Sequence, residues 1–127
     1  MRIMDQETSE FMIQYYNYLF IRNHSNSKSP LNGSVNHFSS WDYINCPVVI
    51  HELTGIRMMT ALSSLYVIKN MELFVTELKP CEIPKYCQEN ENEDLYFFDD
   101  SFHFTIVFTH EYVGEKCRRY CIFKDLS

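Results

Sequence analysis

The chain has 127 residues and a net charge of −6, and hydrophobic residues make up 46% of it and aromatic residues 16%. That composition supplies a core for one domain of ordinary size and excludes an intrinsically disordered chain. No stretch approaches the roughly 18 consecutive apolar residues of a membrane-spanning helix, and the first residues do not resemble a secretory signal. We therefore expect a protein of the cytoplasm or the nucleus.

The negative charge is concentrated in one segment, residues 88–100. It holds six carboxylates and no lysine or arginine, whereas the rest of the chain balances, with 11 acidic and 11 basic residues. A local acidic surface favours a basic protein partner and repels nucleic acid phosphates, although charge runs are also typical of solvated loops. The five cysteines are an odd number without structural zinc spacing, so we expect reduced and mostly buried thiols.

The first predicted element is a helix that Asp5 caps and that runs to about Ile21. Its apolar residues follow the spacing of one helix face: Phe11, Met12, Tyr15, Tyr16, Leu19, Phe20. After a polar loop, residues 37–45 predict a short strand pair. Residues 46–55 predict a second helix, which Pro47 would open.

From residue 56 onward the sequence predicts four long strands joined mainly by hairpins, over 56–68, 71–83, 101–113 and 116–126. Phe102, Phe104, Ile106 and Phe108 would share one face of the third of these strands. The order of elements indicates an α+β fold with an antiparallel sheet. An amphipathic helix can lie across such a sheet when the sheet is bent, and the bend encloses a cavity.

Four collinear stretches resemble the nuclear transport factor 2 family: FMIQYYNYLF (11–20), HFSSWDYIN with CPVVIHELTGI (37–56), SFHFTIVF (101–108) and RRYCIFKD (118–125). The resemblance implies a single domain over residues 1–127. It implies an N-terminal helix packed on a strongly curved antiparallel sheet, which together form a half-open cone. It also implies pairing with a second copy or a related subunit through the outer face of the sheet.

The resemblance points to partner-binding residues at the mouth of the cone. Trp41 and Asp42 match the tryptophan and acidic position of the family, although a lone tryptophan is also typical of a core. Asp99 and Asp100 are the nearest candidates for the remaining acidic residues of the mouth, with Asp94 behind them.

Two further sets of residues are candidate contacts. Phe97 and Phe98 are adjacent aromatics in an acidic segment and cannot both point inward along a strand, so one is predicted to be an exposed anchor or a lid. Arg119, Cys121 and Phe123 share one face of the last strand and mix polar with apolar groups, which predicts a dimer face.

The superfamily also contains enzymes, which need an acid or base deep in the cavity. The histidines show no pairing with catalytic spacing, and the scattered histidines and cysteines do not predict a metal site. We therefore expect no catalytic residue, no metal and no cofactor.

The predicted function is that of a nucleocytoplasmic transport adaptor in the nucleus and cytoplasm. It would bind a Ran-type GTPase at the mouth as a homodimer or heterodimer, without contact to membranes or nucleic acid. The alternatives are the small partner of the mRNA export receptor at the nuclear pore, or an interaction module bound to a ribonucleoprotein particle such as the ribosome.

Overall fold

The computed structural model describes residues 1–21, 41, 44, 46–69, 72–113 and 118–126 of the protein. Three α-helices and seven strands lie within these residues. The helices are α1 (Gln6–Phe20), α2 (Glu52–Thr60) and α3 (Ile83–Glu89), the last preceded by a 3₁₀ turn over Pro80–Glu82. The strands are β1 (Arg2–Ile3), β2 (Val48–Ile50), β3 (Leu65–Lys69), β4 (Thr76–Leu78), β5 (Leu95–Phe98), β6 (Phe104–Val113) and β7 (Arg118–Asp125).

The strands form one open sheet in the order β1-β4-β3-β5-β6-β7-β2, and every neighbouring pair is antiparallel. The α+β class and the antiparallel sheet predicted from the sequence are therefore confirmed. The strong curvature, the half-open cone and the position of α1 across it stay predictions.

Helix α1 follows the predicted boundaries, because its start is fixed by a local hydrogen bond. The Asp5 carboxylate accepts a hydrogen bond from the Thr8 backbone N–H at 2.7 Å and so caps the helix. The predicted apolar face is wrong in detail. Met12, Tyr16 and Phe20 are buried, whereas Phe11 and Tyr15 are exposed.

The second predicted helix is wrong in position. Val48, Val49 and Ile50 form strand β2 and pair with β7, as expected for β-branched residues. The helix begins only after His51, whose ring Nδ1 accepts a hydrogen bond from the Leu53 N–H.

Gly55 lies within α2 and does not end it. The helix packs closely against the sheet at this residue. A Cβ atom at this position would lie 3.2 Å from the Cys121 Sγ and 3.2 Å from the Phe108 ring. The glycine therefore lets the backbone of α2 approach the sheet.

The strands predicted over 56–68 and 71–83 are wrong in length. Among the described residues of these two ranges, the strands are β3 and β4. Helix α2 takes the start of the first range, and the 3₁₀ turn and the first residue of α3 take the end of the second. By contrast, β6 and β7 lie where the sequence predicts them. Residues 70 and 114–115, which lie between predicted strands, and most of the strand pair predicted over 37–45 are outside the described residues.

The core has two parts, one on each face of the sheet. On one face, the buried residues of α1 cluster with Tyr96, Phe98, Val107 and Ile122. On the other face, Met59 of α2 and Ile83 and Cys87 of α3 cluster with the alternate residues of the same strands: Leu95, Phe97, Ile106, Phe108, Cys121. Both faces of the central strands are thus covered within the chain.

Candidate functional site

Strand β5 divides the acidic segment into two groups at opposite ends of the sheet. Glu89, Glu91, Glu93 and Asp94 precede β5, and Asp99 and Asp100 follow it. A four-residue strand spans about 13 Å. The six carboxylates therefore do not form one continuous rim, although they are close in sequence.

Asp94 does not lie behind Asp99 and Asp100 as predicted; it is fully buried at the other end of β5. Its Oδ1 accepts a hydrogen bond from the backbone N–H of His110 at 2.7 Å and lies 2.7 Å from the Nδ1 of the same residue. The ladder between β6 and β7 is irregular between Phe108 and Tyr112. The carboxylate thus satisfies a backbone donor at a β-bulge.

Asp99 and Asp100 begin a well-fixed turn between β5 and β6. The Asp99 Oδ1 accepts hydrogen bonds from the Ser101 N–H at 3.1 Å and the Ser101 hydroxyl at 2.6 Å. The Asp99 carbonyl accepts one from the Phe102 N–H at 3.1 Å. Asp100 is exposed, and neither carboxylate is in an ion pair with any residue that the structure describes.

Phe102 is turned out of the strand alternation by a positive φ of 57°. The sequence predicts that Phe102 and Phe104 share one face, but Phe102 packs with the α1 side of the core and Phe104 with the α2 and α3 side. Non-glycine residues adopt this conformation rarely and at an energetic cost. The turn therefore holds Phe102 toward α1.

A row of five aromatic rings runs from α1 across this turn to β3. Neighbouring ring centroids are 6.0, 4.7, 5.0 and 5.7 Å apart along the row Phe11, Tyr15, Phe102, Phe98, Tyr66. We call these five residues the aromatic row. Sequence reasoning missed it because Phe11 and Tyr15 fit the core pattern, and nothing in the sequence marks the positive φ of Phe102.

Phe97 and Phe98 are both fully buried, so the prediction that one of them is an exposed anchor or a lid is wrong. They do point to opposite faces of the sheet, but each face is covered. Phe98 packs with Tyr16 of α1, and Phe97 packs with Tyr86 of α3.

Trp41 is partly buried and packs against Tyr120 of β7, with ring centroids 5.4 Å apart. Phe98 of β5 pairs with Thr105 of β6, and Thr105 pairs with Lys124 of β7. Lys124, and not Tyr120, is therefore level with Phe98 and the turn that follows it. Tyr120 is four residues away along β7, or about 13 Å. The residue that Trp41 contacts thus lies far from the Asp99–Asp100 turn. Asp42 lies outside the described residues.

The predicted dimer face is covered by the chain itself. Cys121 is fully buried beneath Gly55, and Phe123 packs partly buried in the same cluster. Burial raises the pKa of the Cys121 thiol and also raises that of Cys87, to about 12. Both thiols are therefore protonated and unreactive at neutral pH.

Arg119 is buried in the same layer and binds backbone carbonyls. Its guanidinium donates hydrogen bonds to the carbonyl oxygens of Thr109, Cys87, Asn90 and Glu93. Cys87 and Asn90 lie at the end of α3, where carbonyls lack partners within the helix. Burial lowers the pKa of Arg119. Its role in this structure is to join α3, the following loop and the β6 bulge.

The Asp94–His110 contact is the one histidine–carboxylate pair in the described part of the chain, and sequence spacing did not reveal it. The His110 side chain is 45% exposed, so it does not lie deep in a cavity. No group of three or more histidine, cysteine, aspartate or glutamate side chains is arranged to hold a metal among these residues. Within the same residues, no helix is both long and apolar enough to cross a membrane.

Comparisons of this chain with protein-family models, with curated proteins and with solved structures give no match.

Proposed function

We propose that this chain is a non-enzymatic protein-binding adaptor that captures a basic surface of a partner at the Asp99–Asp100 turn. One observation carries the proposal: two adjacent carboxylates lie in a hydrogen-bonded turn, and neither is in an ion pair within the described residues. No described residue therefore neutralises their charge. Such charges speed encounter and select partners by sign.

The resemblance to the nuclear transport factor 2 family extends this proposal. In that family the opening helix lies across a strongly curved sheet, and acidic residues at the mouth of the half-open cone meet basic residues of Ran. The Asp99–Asp100 turn is the part of the described acidic segment that would serve this role here. The chain would then carry a Ran-type GTPase between cytoplasm and nucleus, without catalysis.

Pairing as the small subunit of the mRNA export receptor receives less support. That alternative relies on the sheet face that bears Arg119, Cys121 and Phe123, as does the predicted dimer of the carrier, and α2 and α3 cover this face. Binding of a partner at the Asp99–Asp100 turn does not need this face. A partner that docked there would first have to displace both helices.

A capture experiment with two matched double variants tests the proposal. Asp99→Asn with Asp100→Asn removes two charges at the turn and keeps the amide oxygen that can accept the turn hydrogen bonds. Glu89→Gln with Glu91→Gln removes two charges at the opposite end of β5. We expect capture of a Ran-type GTPase in its diphosphate form to fall about tenfold for the turn variant and to stay unchanged for the control.

Equal capture by both double variants would refute the role of the turn. Failure of the native chain to capture the GTPase in either nucleotide state would refute the choice of partner. In that case, copurification from the native source followed by mass spectrometry identifies the protein that is bound. A basic surface on that protein would still support binding at the turn.

A further inference from the structure

Helix α1 exposes aromatic rings where a solvated helix face is ordinarily polar. Phe11, Tyr15 and Tyr18 are 65%, 40% and 70% exposed, and their spacing of four and three residues places them on one side of the helix. This side is opposite the buried residues Met12, Ile13, Tyr16 and Phe20. Large exposed aromatic groups of this kind mark interaction surfaces.

The structure holds this exposed surface in a defined geometry. The rings of Phe11 and Tyr15 are stacked, with 19° between their planes. The edge-on contact of Tyr15 with Phe102 joins them to the β5–β6 turn, where hydrogen bonds maintain the positive φ of Phe102. This costly backbone conformation places the partly buried Phe102 ring against the exposed Tyr15, so the turn supports the exposed rings.

Carboxylates lie beside the aromatic row, on α1 and in the β5–β6 turn. Glu7 is exposed and precedes Phe11 by four residues, so the two side chains lie on the same side of α1. Asp99 and Asp100 lie between Phe98 and Phe102 in the chain. Burial raises the pKa of Tyr66, and the carboxylates of Glu77 and Asp100 raise it further. Glu77 is already paired with Arg2 at 2.9 Å.

We propose that the exposed rings of the aromatic row, Phe11 and Tyr15, form a binding site for arginine side chains in a basic segment of the partner. A guanidinium group is planar, so it stacks on the exposed faces of Phe11 and Tyr15 while its N–H groups reach a carboxylate in bidentate geometry. A lysine ammonium satisfies the carboxylate but gains less from the ring faces. This inference rests on the proposed function, because it names the chemistry by which the basic partner is recognised.

Charge argues against the other occupants of this surface. A second copy of the chain would bring a net charge of −6 against the same carboxylates, and a two-fold interface would place identical patches against each other. Nucleic acid phosphates would be repelled in the same way. An arginine-bearing segment complements both the rings and the charges.

The test compares two labelled peptides of equal length and charge, one alternating arginine with glycine and one alternating lysine with glycine. We expect the native chain to bind the arginine peptide about fivefold more tightly, as a ring–guanidinium contact permits. Phe11→Ser and Tyr15→Ser should each reduce that preference and leave the affinity for the lysine peptide unchanged. Phe74→Ser, which also removes an exposed phenyl ring, is the matched control and should change neither affinity.

The outcomes separate this inference from the function on which it rests. If both peptides bind equally and both depend on Asp99 and Asp100, the arginine site is wrong and the acidic turn stands. If neither peptide binds, the arginine site is wrong, and the acidic turn is decided separately by GTPase capture with the Asp99→Asn, Asp100→Asn variant. If the native chain sediments as a dimer that Phe11→Ser dissociates, a second copy occupies the surface and the arginine site is refuted.

Discussion

At the scale of single residues, Arg119 connects more of the described fold than any other polar side chain. Its guanidinium donates to carbonyls of α3, of the loop before β5 and of the β6 bulge. A buried carbonyl without a donor costs free energy. Arg119 is thus a donor to all four carbonyls, and the Asn90 carbonyl accepts a further hydrogen bond from the Glu93 N–H at 3.0 Å.

Replacing this side chain should therefore destabilise the whole protein. We expect Arg119→Met to lower the free energy of unfolding by roughly 3 kcal/mol or more, because several buried carbonyls lose their donor. Arg57→Met removes the same charge from an exposed position on α2 and should cost less than about 0.5 kcal/mol. Urea denaturation of both variants measures the difference, and equal stabilities would contradict this role of Arg119.

The raised pKa of Tyr86 makes the free energy of unfolding depend on pH. Burial raises its pKa to about 12, whereas tyrosine in an unfolded chain titrates near 10. The unfolded chain therefore loses this proton first, so the stability contribution is complete below pH 10 and is lost as the pH rises toward 12. We expect the melting temperature to fall across this window.

A variant isolates that contribution. Tyr86→Phe removes the titrating group, so its melting temperature should fall less steeply between pH 10 and 11 than that of the native chain. Tyr18→Phe, at an exposed position of α1, should keep the native slope. Identical slopes for all three proteins would contradict the assignment.

At the scale of elements, α1, β6 and β7 could be predicted because each carries its own signal. Asp5 caps α1 locally, and β6 and β7 are long enough for alternation to be evident. Strand β2 and helix α2 could not be placed correctly. Pro47 and Gly55 are residues typical of helix ends, so the sequence predicts a helix between them. The pairing of Val48–Ile50 with β7 and the close approach of Gly55 to the sheet depend on residues distant in the chain.

The packing of α2 yields a prediction at this scale. Gly55→Val adds side-chain atoms where a Cβ atom alone would lie 3.2 Å from the Cys121 Sγ, so α2 must move away from the sheet. We expect a loss of about 1–3 kcal/mol in the free energy of unfolding, as overpacking produces. Thr54→Val makes the same residue at an exposed neighbouring position of α2 and is the control. A Gly55→Val protein as stable as the control would show that the contact is not close.

Strand β5 shows why the candidate site was only partly predictable. Its four residues, LYFF, are flanked by carboxylates on both sides, so the sequence reads as one acidic segment. Only its pairing with β3 and β6 separates Asp94 from Asp99. The sequence was enough to identify Asp99 and Asp100 as candidates. It was not enough to predict the burial of Asp94 and Phe97.

At the scale of the whole molecule, charge and exposed rings coincide at one end of the sheet. Buried side chains of α1 cluster with one face of the central strands, and those of α2 and α3 cluster with the other. The outer side of α1 and Asp100 of the β5–β6 turn are exposed. The opposite end of β5 carries carboxylates as well, but its Asp94 is committed to the β6 bulge. We therefore predict that a basic partner binds at the Asp99–Asp100 end of β5 in preference to the other end.

Hydrogen–deuterium exchange of the native chain, with and without a saturating basic peptide, tests this preference most directly. We predict that bound peptide slows exchange at residues 99–103 and leaves residues 88–93 unchanged. Protection confined to residues 88–93, with none at the turn, would contradict the account.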